Sequence, residues 1–445
     1  MLTYCLAGVA VGVVYTLSPL TVLFTLVAIL IVSVAGRGLG PDERRRVQAV
    51  LVASILVRMA AVLVLFLATN HSRTPFGFFF GDEEYFIRRS MWLRNIALGF
   101  PIHTADLIYA FDEYSQTSQL YIFAFIQTLV GFAPYGLHLL GVALYMAAAV
   151  ILFRTIRPTF GAAPSILSLV LLLTLPSLFA WSISALKEPL FFLLTAAALA
   201  SGATAVRSSR WQRRLLFAAG AVAAAVALET VRRAGFAIEI ASVAGGLAFA
   251  WLVVRPRALV ATAIAATLCA AVVLARPAIQ VRGATALADV AHVHRGHVWT
   301  PGHNYHALDD RFYGELSDLH TMDFREAARF VVRAFVSYVT VPMPNELYST
   351  AALAFVPEQL AWYVLVLTVP VGFVFALRRD VVVASLLLMH AIVAAIPVAL
   401  TSGNIGTLVR HRGFALPYLT WIAAVGACEL LARARRPVDR PKELV

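Results

Sequence analysis

Long apolar runs recur along this chain, and they constrain its fold more than any other feature of the sequence. Each run is roughly 20 residues long, which is the length at which an α-helix crosses the hydrocarbon core of a bilayer. The composition agrees, since 60% of the 445 residues are hydrophobic, 13% are charged and the mean hydropathy is +0.81. Because backbone amides inside a bilayer must be hydrogen-bonded internally, the runs predict an all-α integral membrane protein built as a helical bundle.

The runs predict about 11 or 12 transmembrane helices in a single polytopic membrane domain that covers residues 1–445. Residues 1–17 would supply the twelfth helix, and the lack of a basic segment before them favours a membrane segment over a cleaved signal peptide. The other predicted spans lie at 19–35, 47–69, 136–154, 163–181, 189–206, 215–230, 235–254, 258–275, 359–377, 381–400 and 414–432.

Arginine clusters between the runs orient the predicted spans. Positive residues concentrate on the cytoplasmic side of membrane proteins, so the net charge of +12 indicates topology rather than nucleic-acid binding. One threading places six clusters in the cytoplasm: Arg44 to Arg46, Arg154 and Arg157, Arg207 to Arg214, Arg255 and Arg257, Arg378 and Arg379, and Arg433 to Arg436.

This threading creates two outer-face loop regions, residues 70–135 and 276–358. It requires the apolar segment 119–133 to lie along the outer interface as a helix rather than to cross the membrane. The region 276–358 is expected to fold as an outer cap loop over the bundle. Residues 433–445 are predicted to form a basic cytoplasmic tail.

Three adjacent carboxylates, Asp82, Glu83 and Glu84, stand in the first outer loop region, close to a predicted span. A carboxylate at this position could act as the general base that removes a proton from an acceptor hydroxyl. The alternative is a solvated helix start beside Arg88, because acids are favoured at helix N-termini. Asp112 and Glu113 form a second acidic pair that could place an acceptor.

Lys187 is one of only two lysines in the chain and lies at an outer rim between two predicted spans. An ammonium in a protein that otherwise uses arginine suggests a point charge for a lipid-linked phosphate. The alternative is an interfacial lysine paired with Glu188, where Glu188 and Pro189 make a favourable first helix turn.

The segment 403–412 adds cations to the same predicted face. Arg410 and Arg412 flank His411 beside a glycine-containing turn, and this pattern is typical of a phosphate clamp. Outer cations run against the positive-inside tendency, which favours a function over simple membrane anchoring. Arg232, near Glu229, belongs to a further and less specific outer set.

Five histidines occur close together in the second outer loop region: His292, His294, His297, His303 and His306. Imidazole is a common metal ligand, so the first three are weak candidates for a site and a divalent metal ion stays open as a cofactor. Their spacing matches no zinc template, and a solvated cap or an acceptor surface explains them equally well.

Three features of the predicted outer rims occur together: the acidic motif 82–84, an interfacial helix before the next span, and a Trp-Ser turn that runs on to Lys187, Glu188 and Pro189. This combination resembles the GT-C superfamily of polyprenyl-phosphate-sugar-dependent membrane glycosyltransferases, which includes protein mannosyltransferases and aminoarabinose transferases. Segments 342–346 and 404–412 resemble membrane proteins of bacterial polysaccharide loci.

The resemblance extends over most of residues 45–432 and implies an acceptor-activating acid at Asp82, helped by Glu83 or Glu84. The chemistry of Lys187, Arg410 and Arg412 leads us to expect that they bind the donor phosphate. The remaining polar residues of these rims would contact the acceptor or support the site: Glu188, Arg88, Asp112, Glu113, His411 and Arg232. The chain departs from the family in having three adjacent acids, where two are usual, and extra spans before residue 47.

The expected function is transfer of a sugar from a polyprenyl-phosphate donor to a cell-envelope glycan, lipid or protein acceptor on the non-cytoplasmic face. The preference for arginine over lysine and the richness in Ala and Val suggest a bacterial cell (inner) membrane. Two alternatives stay open: a polysaccharide repeat-unit polymerase or ligase that uses a lipid pyrophosphate, and a lipid-linked sugar flippase. For the flippase, Glu239 is the main intramembrane candidate.

Overall fold

The computed structural model describes residues 2–17, 19–69, 82–112, 117–300, 303–314, 319–343 and 356–435. Within these ranges the secondary structure is helical and contains no β-strand. Glu113 and the segment 344–346, which the sequence singles out, lie outside the described residues, as do residues 436–445 of the predicted tail. The chain divides into two compact units, Met1–Ile240 and Ala241–Val445.

The first unit consists of eleven helices and the start of a twelfth among its described residues. Helix α7 packs against α2 and α10, α10 packs against α11, and α4 packs against α6. The helices are α1 (Leu2–Leu17), α2 (Pro19–Gly36), α3 (Pro41–Ala68), α4 (Asp82–Ala97), α5 (Thr104–Ala110), α6 (Ser118–Val130), α7 (Pro134–Phe160), α8 (Ala162–Thr174), α9 (Pro176–Ser182), α10 (Glu188–Arg207), α11 (Trp211–Val231) and α12 (Gly235–Val253).

The described part of the second unit continues from α12 through seven further α-helices and two short 3₁₀ helices, Asp310–Tyr313 and Leu319–Thr321. These helices are α13 (Pro256–Leu274), α14 (Pro277–Val298), α15 (Phe324–Thr340), α16 (Val356–Arg379), α17 (Val381–Thr401), α18 (Ile405–Arg412) and α19 (Leu416–Ala434). Helix α19 packs against α16 and α17, while α14 and α15 both pack against α17.

Among the described residues, nine helices are long and apolar enough to cross a membrane, and eleven spans result if each of two bent helix pairs is one span. This confirms a multi-pass, all-α membrane protein. The span predicted at 163–181 is bent, because α8 and α9 meet at an angle of 68°. Pro176 disfavours the helical conformation for the residue before it, and Leu175 has φ −58° and ψ 127°, which lies outside the helical region. A second bend, of 65°, separates α18 from α19.

The two predicted outer loop regions contain substantial helix. Helix α6 covers most of 119–133 and has 13 residues, so it extends about 20 Å and is too short to cross a ~30 Å core. The region 276–358 is not simply a loop, since it holds α14 and α15. Helix α15 begins with a capping box in which Asp323 and Glu326 exchange side-chain to backbone hydrogen bonds.

Helices α16 and α19 approach each other at two glycines. A Cβ atom at Gly372 would lie 1.9 Å from the carbonyl oxygen of Ile422, and one at Gly426 would lie 2.4 Å from the carbonyl oxygen of Thr368. Small residues allow membrane helices to pack backbone against backbone, which is how such helices gain contact in the absence of a hydrophobic driving force.

We expect Gly372→Ala to destabilise the protein by about 1–3 kcal/mol, because the added methyl group has no space at this crossing. Gly220→Ala is the matched control, since it also lies inside a helix but its Cβ would meet only the Ser201 side chain, with Oγ at 3.5 Å. Alanine is the better helix former, so the control should unfold at the same or a higher temperature. Equal thermal unfolding midpoints for the two variants in detergent would contradict this packing.

Candidate functional site

The acidic start of α4 contacts the turn that joins α9 to α10. The Glu83 carboxylate accepts a hydrogen bond from the backbone N–H of Ala185, at 3.1 Å. Glu83 is 0% exposed, and residues 181–186 are all buried. The structure therefore brings together two segments that the sequence singled out separately, although these two residues are 102 positions apart in the chain.

A buried arginine fixes the beginning of the same turn. Arg58 of α3 donates from Nε to Ser182 Oγ at 2.7 Å and from Nη2 to the carbonyl oxygen of Leu173 at 3.0 Å. Its guanidinium also lies 4.8 Å from the centre of the Phe179 ring. Because a buried guanidinium needs acceptors for its donors, these contacts hold α3 against the bend between α8 and α9.

Helix α7 supports the turn from another side. Nδ1 of His138 donates to the carbonyl oxygen of Ile183 at 2.7 Å. One turn further along α7, Gly141 passes so close that a Cβ atom would lie 2.5 Å from the carbonyl oxygen of Ser184. From α6, the Gln119 amide donates to the carbonyl oxygen of Leu186 at 3.4 Å. Contacts from four helices thus position residues 182–186.

Lys187 comes directly after this supported segment and is the N-cap residue of α10. Lys187 is half-buried, whereas Glu188 in the first turn of α10 is only 2% exposed. The turn holds the backbone of Lys187 at a defined place, where an ammonium group would stabilise an anion.

The three predicted catalytic acids occupy different environments within the first turn of α4. Asp82 is exposed, Glu83 is buried against the turn, and Glu84 forms an ion pair with Arg88 one helical turn away. Asp82 is the most exposed of the three, so its carboxylate is the best placed to meet a hydroxyl group that approaches from outside the protein.

A small polar cavity of about 230 Å³ adjoins the same helix start and is lined by Glu84, Tyr85, Arg88 and Tyr109. The two tyrosine rings meet edge to face with their centres 5.4 Å apart. Burial raises the pKa of both Tyr85 and Tyr109 above the ordinary value, so both phenols stay protonated at neutral pH. The cavity therefore offers aromatic faces, hydroxyl donors and an ion pair to a polar ligand.

Arg89 anchors the cavity wall from the buried side. Its guanidinium lies 4.8 Å from the centre of the Tyr85 ring and donates to the carbonyl oxygens of Ala110 and Asp112, at 3.2 and 2.5 Å. Asp112, predicted to support the site, thus contributes its backbone oxygen to this arrangement, and the residue itself is exposed.

Arg412 has a structural role that differs from the predicted phosphate contact. It is 2% exposed and donates to the carbonyl oxygens of Tyr338 and Val341 and to Gln359 Oε1, the last at 2.9 Å. Its guanidinium also lies 4.9 Å from the centre of the Trp362 ring. These contacts commit the donors of Arg412 to the end of α15 and to α16 rather than to a phosphate.

The other predicted cations are more accessible. Arg410 and His411 are half-buried on α18, and the His411 ring packs against Phe414. Arg232 is half-buried at the C-terminus of α11. The nearby Glu229 carboxylate accepts hydrogen bonds from the backbone N–H groups of Ala234 and Phe236, so its role includes capping the start of α12.

The histidines predicted in a loop lie partly on a helix. His292, His294 and His297 belong to α14, where His294 is buried between the rings of Tyr305 and Phe330. Among the described residues, no group of three or more His, Cys, Asp or Glu side chains could hold a metal ion. The described structure therefore gives these three histidines no support as a metal site.

Arg58, His138 and Gly141 were not predicted as site residues, although the positions of Arg58 and His138 in the sequence are unusual. An ionisable residue within an apolar run is costly and needs a partner, and both Arg58 and His138 lie in such runs. The clusters of charge at the outer rims are the more conspicuous pattern. Tyr85 and Tyr109 carry no signal, because tyrosine is common at membrane interfaces.

Comparisons with protein-family models, with curated proteins and with solved structures gave no match. The function is therefore inferred from the residues of this site and from the resemblance of its motifs.

The burial of His294 predicts a dependence of stability on pH. Desolvation, with smaller effects from His297 and His306, lowers the pKa of His294 to about 4 from its ordinary value of 6.5. Between these two values the unfolded chain binds a proton that the folded chain does not bind. The contribution to stability is therefore complete above pH 6.5 and is lost as the pH falls towards 4.

We expect His294→Leu to weaken this dependence, so that its unfolding midpoint falls less than that of the wild type between about pH 7 and pH 4.5. Val293→Ala is the control, because Val293 is the exposed neighbour of His294 on α14 and carries no titratable group. The measurement is thermal unfolding in detergent across this range. The same pH dependence in the wild type and in His294→Leu would show that His294 does not cause it.

Proposed function

We propose that this protein is a membrane-embedded glycosyltransferase of the GT-C type that transfers a sugar from a polyprenyl-phosphate donor. The acceptor would be a cell-envelope glycan, lipid or protein, and the reaction would take place on the non-cytoplasmic face of a bacterial inner membrane. The proposal rests above all on the hydrogen bond from Ala185 to Glu83, which joins the acidic start of α4 to the turn before Lys187.

The chemistry of the reaction explains why these two groups would belong together. The acceptor hydroxyl must lose its proton as its oxygen bonds to the anomeric carbon of the sugar. At the same time the bond between that carbon and the phosphate oxygen breaks, and the polyprenyl phosphate leaves with an additional negative charge. Such a transfer needs one acid in its ionised form and a fixed cation.

In this proposal Asp82 is the base that accepts the proton, and Lys187 stabilises the departing phosphate. Glu83 is a positioning residue, because its buried carboxylate holds the turn on which Lys187 stands. The cavity lined by Glu84, Tyr85, Arg88 and Tyr109 would accommodate part of the sugar or of the acceptor. Glu188 and Asp112 support this arrangement.

Arg410, His411 and Arg232 keep their predicted place as further candidates for binding the donor or acceptor. They are weaker candidates than Lys187, because Lys187 follows a turn that hydrogen bonds hold in place. Those hydrogen bonds come from α3, α4, α6 and α7 rather than from the helices of Arg410, His411 and Arg232. The part of the chain that the structure describes offers up to eleven spans, with a bent pair that ends at the turn, and this is compatible with the GT-C-like topology that the sequence suggested.

The test is a transfer assay with purified protein in nanodiscs, radiolabelled polyprenyl-phosphate sugars and a membrane-lipid acceptor extract. We expect Asp82→Asn to lower the transfer rate about 100-fold or more, since a general base contributes on this scale. Lys187→Ala should also lower it strongly, because the leaving phosphate loses its cation. The variants must elute and unfold like the wild type.

Asp42→Asn is the matched control, because Asp42 is also an acid in the first turn of a helix but lies in α3, next to the predicted cytoplasmic cluster. It should keep full activity. Full activity of Asp82→Asn would remove Asp82 from the mechanism. If the wild type transfers from none of these donors and instead elongates pyrophosphate-linked repeat units, the polymerase alternative would replace this proposal.

A further inference from the structure

A second polar cavity lies at the turn between α10 and α11, at the opposite end of α10 from Lys187. Its volume is about 390 Å³, and it is lined by Thr204, Arg207, Ser208, Ser209, Arg210 and Arg213. The lining thus consists of three arginines and three hydroxyl-bearing residues. An anion with several oxygen atoms is the ligand that this lining fits.

The charge in this part of the chain is strongly one-sided. Between Glu188 and Glu229 the sequence contains four arginines and no acidic residue. The lining of the cavity likewise includes no carboxylate among the described residues. Membrane topology explains why cations lie at this end of the hairpin, but it does not require them to surround a cavity.

The turn itself is fixed by local hydrogen bonds. Ser208 donates from its hydroxyl to the carbonyl oxygen of Thr204 at 2.7 Å, and Arg214 donates to the carbonyl oxygen of Ser208 at 3.2 Å. Arg214 therefore stabilises the turn, and the arginines that line the cavity are Arg207, Arg210 and Arg213. These three residues are exposed, so a ligand can reach them.

The surroundings of the turn indicate where such an anion would come from. Trp211, the first residue of α11, is 68% exposed, and Leu215 and Leu216 on the next turn are exposed as well. Tryptophan is enriched at the level of the lipid headgroups, with apolar residues deeper in the bilayer. The cavity would then lie beside the phosphates of anionic lipids and remain open to phosphate compounds in water.

We propose that this cavity is a binding site for a phosphate group, carried either by an anionic lipid headgroup or by a soluble compound. The site is separate from the acids and from Lys187 and does not depend on the proposed glycosyl transfer. A bound phosphate would hold the hairpin of α10 and α11 in place at the predicted cytoplasmic side. Arginine suits this role, because its guanidinium group forms bidentate contacts with phosphate oxygens.

The test uses the full-length protein purified in a neutral detergent, with binding followed by native mass spectrometry and by thermal unfolding. The probes are dioctanoyl phosphatidic acid, dioctanoyl phosphatidylcholine and inorganic phosphate. We expect the wild type to retain the phosphatidic acid, and the triple variant Arg207→Gln/Arg210→Gln/Arg213→Gln to bind it at least about tenfold more weakly, since several charge-assisted hydrogen bonds are lost.

The matched control is Arg44→Gln/Arg45→Gln/Arg46→Gln, which removes three exposed arginines from the start of α3 on the same predicted side. It should change binding less than about twofold, because these arginines do not line the cavity. Competition by inorganic phosphate would identify the phosphate group alone as the ligand, and retention of phosphatidic acid without competition would identify the lipid. Equal weakening in both triple variants, or equal binding of phosphatidylcholine, would overturn the proposal.

Discussion

Buried arginines that cap the ends of helices stabilise each of the two units. A helix leaves its last carbonyl oxygens without partners, and inside an apolar bundle water cannot supply them. Arg58 donates to Leu173 near the end of α8, Arg89 to Ala110 at the end of α5, and Arg412 to Tyr338 near the end of α15. In each case a positive charge meets the negative end of a helix dipole, and several donors meet several acceptors. These arginines allow helices to end or bend inside the protein.

The turn between α9 and α10 is a place where the protein holds backbone outside a helix. A bend at Pro176 and a short helix place non-helical backbone among buried side chains, and its polar groups find partners on α3, α4, α6 and α7. Backbone outside a helix at membrane depth is tolerated only where the protein satisfies it. The same contacts bring the acids of α4 to the start of α10. The turn coincides with the residues that we propose to carry sugar transfer.

The features that could be predicted from the sequence are those that follow from local patterns. Apolar runs located the nine straight spans found among the described residues. The acids at 82–84 mark a helix start, and the apolar segment 119–133 contains a helix too short to cross. The contact between Glu83 and Ala185 could not be predicted, because it depends on how segments far apart in the chain pack. For the same reason the sequence could not separate Arg412, which is buried, from Arg410, which is half-buried, although the two are neighbours on one short helix. The histidines of α14 were predicted in a loop because polar residues beside glycine and proline are also typical of loops.

The acidic start of α4 and the turn before Lys187 together form the proposed site for a polyprenyl-phosphate sugar. The decisive measurement is labelling of the protein in nanodiscs with a short polyprenyl-phosphate sugar that carries a photoreactive diazirine on its sugar, followed by peptide mapping. We expect labelled residues within 82–92 and 181–190, and loss of the label when unmodified donor is added in excess. Label that is confined to other segments, or that excess donor does not displace, would contradict the proposed site.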